Sequence, residues 1–192
     1  MPWSSSIAGI SRSHRAAGLA LLTVLCAVLL PASLLAQHEA QERLLKPFSA
    51  AIAAAPASTV RTGSIYVPAY AQLPVGAGAF NVDLSVTLSI RNTSPKKVLA
   101  VRRIEFFDTS GKLIESYLST PIGVRPYGTV NLFISVMDRR GGSGGNFVVD
   151  WGGDTDMSEP IIEAIMLGEF GGRAYSFVSR GVETVTSAAL QR

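Results

Sequence analysis

The clearest hydrophobic pattern in the chain runs through residues 81–92, NVDLSVTLSIRN. Every second residue from Val82 to Ile90 is apolar, and every residue between them is polar. Because side chains alternate between the two faces of a strand, this pattern predicts a long strand with one buried and one solvated face. Burial on a single face is typical of an antiparallel sheet.

Other segments with strand character follow at intervals marked by turns. We predict strands over residues 64–70, 98–107, 112–118, 129–137, 147–151 and 175–179. Residues 161–167 fit either a strand or a short helix that starts after Pro160. Pro68 cannot donate a ladder hydrogen bond, which predicts an edge position for the first of these strands. The broken alternation at Arg102 and Arg103 predicts a bulge, and the DTSG turn at 108–111 predicts a hairpin.

Seven or eight short strands at regular spacing predict an all-β fold, an antiparallel β-sandwich of immunoglobulin-like type. We place this domain at residues 62–186, with a tail at 187–192. Residues 37–61 are rich in alanine and contain Pro47 and Pro56, which is typical of a mobile linker. Within that linker, Leu44, Leu45 and Phe48 could form the apolar stripe of a short helix.

The first 36 residues have the composition of an export signal. Arg12, His14 and Arg15 precede the uncharged run AAGLALLTVLCAVLL, and Ala36 offers a small residue at which cleavage would leave Gln37 first. The alternative is an uncleaved anchor, because the apolar run approaches the length that spans a bilayer. Either interpretation places the domain in the periplasm or outside the cell, with membrane contact only through this segment.

Charge and composition exclude several classes of protein. The 192 residues are 47% hydrophobic and 16% charged, so the chain is not intrinsically disordered. Its 17 basic and 14 acidic residues give a net charge of +3, but two of the bases, Arg12 and Arg15, lie in the leader, which contains no acid. The remaining chain is close to neutral and has no basic stripe, which argues against a nucleic acid partner.

The chain has few residues that support catalysis. Its histidines are His14 and His38, and its one cysteine is Cys26 in the apolar run, so the predicted sandwich contains neither type. Catalytic triads that need histidine, thiol chemistry and zinc sites of histidine and cysteine are therefore excluded from that region. Carboxylate or serine–lysine chemistry remains possible.

The glycine-rich segment RRGGSGGN at residues 139–146 is a candidate binding loop. A phosphate-binding P-loop would continue into a helix through a lysine, whereas this segment continues into a predicted strand. The simplest interpretation is a flexible hairpin loop, and the alternative is a loop that binds an anion through its N–H groups and arginines. The candidate binding residues are Arg139, Arg140, Gly141, Gly142, Gly144 and Asn146.

The acidic segment DWGGDTDMSE at residues 150–159 is a candidate calcium site. Its possible ligands are Asp150, Asp154, Asp156 and Glu159, although their spacing is not that of an EF-hand. No other cofactor is predicted. Trp151 is expected to pack in the core.

Two alternatives involve the carboxylate of Glu163. A small hydrolase could use Asp150, Glu159 or Glu163, because paired carboxylates about 5 to 10 Å apart hydrolyse glycosides. In the other interpretation, Glu163 forms a buried ion pair with Arg91 and Arg180 that stabilises the fold. We favour the structural interpretation for these three residues.

Five separated segments resemble a bacterial exported family of unknown function, DUF3124. They are SIYVPAYAQL, LSVTLSIRNTS, GGSGGNFVVDW, EPIIEAIMLGEF and YSFVSRG, and they cover most of residues 64–181 in this order. The resemblance implies a small exported β domain and brings no known activity with it. Together with the residues themselves, it favours a non-enzymatic binding module whose partner is a protein or a component of the cell envelope.

Overall fold

The structure, a computed structural model, describes residues 38–39 and 41–186. Twelve strands form two antiparallel sheets. In chain order the strands are β1 (Ile52–Ala53), β2 (Arg61–Pro68), β3 (Gln72–Val75), β4 (Phe80–Arg91), β5 (Leu99–Phe107), β6 (Leu113–Ser116), β7 (Ile122–Val124), β8 (Thr129–Ile134), β9 (Asn146–Gly153), β10 (Ile161–Phe170), β11 (Arg173–Arg180) and β12 (Val182–Thr186). A 3-10 helix at Lys46–Phe48 precedes them.

The alternating segment of the sequence forms β4, around which the five-stranded sheet is built. Strand β10 pairs with one edge of β4, and β11 follows β10 at the end of the sheet. The other edge of β4 is shared, since β3 pairs with residues 80–83 and β8 with residues 86–91. The seven-stranded sheet has the order β1-β7-β5-β9-β2-β12, and β6 pairs with β5 beside β7.

The core lies between the two sheets. Val82, Leu84, Val86, Leu88 and Ile90 supply one side of it from β4, as their alternation predicts. The opposing side is supplied mainly by β5 and β9, whose largest buried side chains are Phe106, Phe147 and Trp151. The rings of Phe106 and Phe147 stack at 4.8 Å. The prediction of an all-β antiparallel sandwich, with Trp151 in its core, is therefore confirmed.

The bulge predicted at Arg102 and Arg103 is confirmed. The register between β5 and β9 shifts between Val101 and Arg103. Before the shift the odd-numbered Leu99 and Val101 are buried, and after it the even-numbered Ile104 and Phe106 are buried. One extra residue in β5 thus changes which alternate side chains face the core, from odd-numbered to even-numbered residues. This explains why the sequence alternates imperfectly at this point.

The structure settles one open alternative about the strands and contradicts one prediction. Residues 161–167 form a strand rather than a helix, because β10 pairs along its length with β4 and β11. The edge position predicted for the segment with Pro68 is wrong, because β2 lies between β9 and β12. Pro68 is nevertheless tolerated, since it is the last residue of β2 and β12 pairs only with residues 63–66.

Strands β1, β3, β7 and β12 account for the excess over the predicted seven or eight. They have two to five residues each, too few for an alternation that can be recognised in the sequence. The predicted hairpin between β5 and β6 does form. Gly111 has a φ of 81°, and the N–H of Asp108 donates to the carbonyl of Lys112.

The segment predicted to be a linker contacts the sandwich in part. Residues 41–45 are helical, and Leu44, Leu45, Phe48 and Ile52 pack against the core. The side-chain oxygen Oε1 of Gln41 accepts hydrogen bonds from the N–H and the hydroxyl of Ser119, at 2.7 and 2.6 Å. This segment therefore lies beside β6, β7 and β8.

No helix in the described part of the chain is long and apolar enough to cross a membrane. The predicted signal peptide or anchor at residues 1–36, with Cys26, and the tail at 187–192 lie outside the described residues.

Candidate functional site

The five-stranded sheet carries an apolar surface that the other sheet does not cover. The buried face of β4 continues by alternation from Val82 to Phe80, yet Phe80 is 59% exposed. On the same face, Phe170 of β10 is 39% exposed and Tyr175 of β11 is 46% exposed. We call this end of the core-side face the overhang. It comprises Leu73, Val75, Phe80, Phe170, Tyr175 and Phe177, which are exposed or half-buried, together with Val82 and Leu84, which are buried where the face joins the core.

A shallow apolar cavity of about 210 Å³ lies on the overhang. It is lined by Leu73, Val75, Val82, Leu84, Tyr175, Ser176 and Phe177. No Asp, Glu, Lys or Arg side chain is among them. The cavity can therefore bind apolar groups.

Aromatic contacts hold the overhang in shape. The rings of Phe80 and Phe170 lie 5.8 Å apart, and those of Tyr70 and Phe177 lie 6.1 Å apart. Such pairs stabilise by about 0.5–1.5 kcal/mol beyond the burial of their area. Gly168 lies at the centre of this end of β10, where a Cβ would come within 2.5 Å of the side chain of Leu84. The close approach of β10 and β4 at this point thus requires glycine.

Tight turns end both hairpins of the overhang. Gly76, Ala77 and Gly78 between β3 and β4 all have φ between 57° and 85°. Gly171 and Gly172 between β10 and β11 have φ of 60° and 71°. Glycine adopts this region without a steric penalty, which allows turns short enough to place Phe80 and Phe170 side by side.

The candidate glycine-rich binding loop lies at the base of the overhang, and its backbone groups form hydrogen bonds with neighbouring segments of the domain. The carbonyl of Gly142 accepts from the N–H groups of Ala71 and Gln72, and the N–H of Gly144 donates to the hydroxyl of Thr109. Gly145 accepts from the N–H of Ala69. These hydrogen bonds tie the loop to the chain entering β3. It is not a hairpin loop, because the strands it connects, β8 and β9, lie in different sheets.

Both arginines of that loop have carboxylate partners. Arg139 donates to Asp83, and Arg140 binds Asp138 at 2.7 Å and Glu115 at 3.0 Å. The amide of Gln72, with a smaller contribution from Arg139, holds the pKa of Asp83 below its usual value. The hydrogen bond from Arg140 likewise lowers the pKa of Asp138.

The rest of the candidate loop also offers little to an anion. The N–H of Gly142 donates to the carbonyl of Arg139, a Cβ at Gly141 would meet the ring of Phe106, and Asn146 is buried at the start of β9. The structure therefore does not support the alternative interpretation, a loop that binds an anion.

The four acids predicted to bind calcium do not converge. Arg103 binds Asp150 through two nitrogens at 2.7 and 3.1 Å, and Lys97 binds Asp154 at 2.7 Å and Asp156 at 3.6 Å. Glu159 pairs with Arg61. The hydrogen bond from Lys97 lowers the pKa of Asp154.

Within the described residues there is no group of three or more His, Cys, Asp and Glu side chains that could hold a metal ion. The arrangement of these four acids thus gives no support to the calcium site considered from the sequence. Each acid is neutralised by a basic side chain from another strand or turn, where calcium would need several oxygens around one point.

The carboxylates considered for a hydrolase are separated in the same way. Asp150 lies on β9 with Arg103, Glu159 lies with Arg61, and Glu163 lies on β10 of the other sheet with Arg91. No two of them form the unpaired couple that glycoside hydrolysis requires.

The predicted ion pair is present in part and is not buried. Nε of Arg91 lies 3.5 Å from Glu163, and these side chains are 47% and 22% exposed. Arg180 is opposite Glu163 in the register of β11 and β10, but among the described residues no carboxylate lies within ion-pairing distance of it. A partly solvated pair of this kind contributes little to stability.

The overhang was not predicted from the sequence. Alternation identifies which face of β4 is apolar, but the same pattern arises whether or not a second sheet covers that face. The available signal was the placement of Phe80 and Phe170 beside glycine-rich turns, GAG and GG, where exposed aromatic side chains are unusual.

Comparisons with known proteins identify a family for this chain but no activity. A family model described as "Protein of unknown function (DUF3124)" matches residues 62–184. No curated protein matches the chain. The crystal structure of Thermotoga maritima 1070 is similar with 11% sequence identity and a TM-score of 0.38, over 62% of this chain and 92% of that one. At that score the similarity carries no argument about function.

Proposed function

This chain belongs to the DUF3124 family, and from that premise we propose that it is a non-enzymatic binding module whose overhang binds an apolar segment of a partner polypeptide. The observation that carries the proposal is the exposure of Phe80, Phe170 and Tyr175 on a face that is otherwise buried. Contiguous exposed apolar surface on a soluble domain is typical of an interaction site.

The chemistry of the overhang supports a binding role. Its cavity is apolar, and the aromatic pair Phe80–Phe170 supplies the kind of anchor that dominates binding energy at protein interfaces. The acids and bases elsewhere on the domain are mostly engaged with one another, as in Arg103 with Asp150 and Arg140 with Asp138. The proposal therefore rests on burial of apolar area.

We further propose that the domain works outside the cytoplasm, on a protein or another component of the cell envelope. The support for this is the sequence of residues 1–36, a basic region followed by an apolar run and a small residue. Export would place the overhang where apolar segments of other exported chains are accessible.

A hydrophobic fluorescent dye, anilinonaphthalene sulfonate, tests the binding surface. We expect one saturable site on the wild-type chain and loss of most of the fluorescence in the double variant Phe80→Ser with Tyr175→Ser. Both side chains are exposed, so the variant should stay folded, with a melting temperature lowered only by the loss of the contact between Phe80 and Phe170. Phe133→Ser is the matched control, because Phe133 is also an exposed aromatic residue and lies on the opposite face of the same sheet.

The proposal is contradicted if the double variant binds the dye as the wild type does. It is also contradicted if Phe133→Ser alone abolishes binding, since the site would then lie on the outer face.

A further inference from the structure

Strand β11 forms a free edge of the sheet beside the overhang. All eight of its residues pair with β10, and β11 is the last strand of the sheet. Among the described residues no strand pairs with its other edge. The backbone N–H and C=O groups on that edge can therefore accept one more strand.

The side chains of β11 give this edge a distinct pattern. Tyr175 and Phe177 lie on the same face as the overhang, as their register partners Gly168 and Met166 show. The two ends of the strand are Arg173 and Arg180, both exposed. Neither has a carboxylate within ion-pairing distance among the described residues, whereas most other arginines of the sandwich do.

A second copy of the chain does not fit this edge. If two β11 strands paired along their whole length about a twofold axis, Arg173 of each would lie opposite Arg180 of the other. Like charges directly opposite one another destabilise a strand pair. The residues of this chain outside the described part also do not fit, because residues 1–37 and 187–192 contain no Asp or Glu.

We propose that β11 binds an extended segment of a different protein as an additional antiparallel strand, with an acidic residue at each end and apolar residues at alternate positions between them. This inference rests on the proposed function and names the partner of the same surface. The acids would lie opposite Arg173 and Arg180, and the apolar side chains opposite Tyr175 and Phe177 would cover the overhang. Charge complementarity with the two arginines favours acidic residues at the ends of the partner segment. Pairing with the free edge of β11 requires that segment to be extended.

The probe that follows from this geometry is the fluorescein-labelled octapeptide Glu-Val-Thr-Val-Thr-Val-Thr-Glu, as long as β11. In antiparallel register its valines face the overhang and its glutamates face the two arginines. We expect it to bind the full chain in a fluorescence anisotropy titration. The same peptide with lysine at both ends should bind more weakly by roughly fivefold to tenfold, since it loses two partly exposed ion pairs.

A charge exchange tests the two arginines. In the double variant Arg173→Glu with Arg180→Glu, the preference should reverse, so that the peptide with lysine ends binds better than the one with glutamate ends. Lys96→Glu is the control, because Lys96 is an exposed basic residue in a turn outside β11 and the overhang. This control should keep the preference of the wild type.

Peptide N-methylation tests strand addition itself. Methyl groups on alternate nitrogens that face β11 should abolish measurable binding, and methyl groups on the other set should leave it within about twofold, because only one edge of the added strand donates to the sheet.

The outcomes separate the two proposals. If Phe80→Ser with Tyr175→Ser abolishes peptide binding but end charges and N-methylation have no effect, the overhang binds apolar segments and strand addition is wrong. If no peptide binds while the dye does, strand addition is again overturned. A dimer of the chain that competes with the peptide for β11 would show that the occupant is a second copy, which also overturns the proposal.

Discussion

Nε1 of Trp151 and Oε1 of Glu183 both lie beside Gly63 in the interior of the sandwich. Both atoms are buried, and neither has a hydrogen-bond partner among the described residues. A Cβ at Gly63 would collide with both side chains. Glu183 points inward because it lies directly opposite Ile65, just before the register of β12 and β2 shifts. An indole donor and a carboxylate acceptor are thus both buried without a partner at the position where the last described strand joins the sheet.

This packing predicts that Gly63→Ala is destabilising. An added methyl group would have to displace Trp151 or Glu183, and overpacking of a core typically costs about 1–3 kcal/mol. The measurement is the free energy of unfolding in urea. Ser64→Ala, at the next residue of the same strand, is the control and should stay within about 0.5 kcal/mol of the wild type. Equal stability of Gly63→Ala and the wild type would show that this interior has room to spare.

Asn92 is predicted to be the most important polar side chain for stability. It is buried, its Nδ2 donates to the carbonyls of Lys97 and Val124 at 2.8 and 2.9 Å, and its Oδ1 accepts from the N–H of Ser94. Asn92→Ala leaves these backbone groups unpaired and should cost about 2–4 kcal/mol in chemical unfolding. Asn131→Ala is the comparison, since Oδ1 of Asn131 has no partner, and it should cost less than about 1 kcal/mol. The reverse ranking would refute this account of the turn after β4.

Acid sensitivity is predicted from Asp138, whose pKa is lowered by Arg140. A carboxyl group whose pKa is lower in the folded state stabilises the protein above its unfolded pKa of about 3.9, and that contribution is lost as the pH falls through the folded pKa. The melting temperature of Asp138→Asn should therefore fall less than that of the wild type between pH 5 and pH 2. Arg140→Gln should flatten the same profile, and the double variant should add little to either. Additive effects would mean that the two groups act independently.

Gln41 is predicted to hold the N-terminal segment on the sandwich. Its amide bonds to Ser119 and Thr120 between β6 and β7, and its side chain is buried. Gln41→Ala should raise the hydrogen exchange of residues 41–53 and lower stability by about 1–2 kcal/mol. Glu42→Ala, at an exposed neighbour that faces His38, is the control. Unchanged exchange in Gln41→Ala would show that apolar packing of Leu44 and Phe48 suffices.

The sequence predicts the fold well where a local pattern carries the information. The alternation in β4, the bulge at Arg102 and the turn before β6 each depend on a few neighbouring residues. The order of strands depends on pairing between distant residues, and no local feature of Pro68 indicates that β12 returns to cover the edge of β2.

The candidate sites were harder to predict, because a list of charged residues does not show which ones are paired. Asp150 and Asp154 look like cation ligands in the sequence until Arg103 and Lys97 are placed beside them. Exposure of Phe80 similarly depends on the extent of the opposing sheet, which no alternating pattern encodes.

The most direct test of the binding surface is a titration of the isotope-labelled chain with the octapeptide that has glutamate at both ends, followed by amide chemical shifts. Strand addition at β11 predicts changes concentrated in residues 72–84 and 168–180, with little change in the loops at 139–146 and 150–159. Changes confined to those two loops would contradict the account, because the peptide would then bind at the glycine-rich and acidic segments.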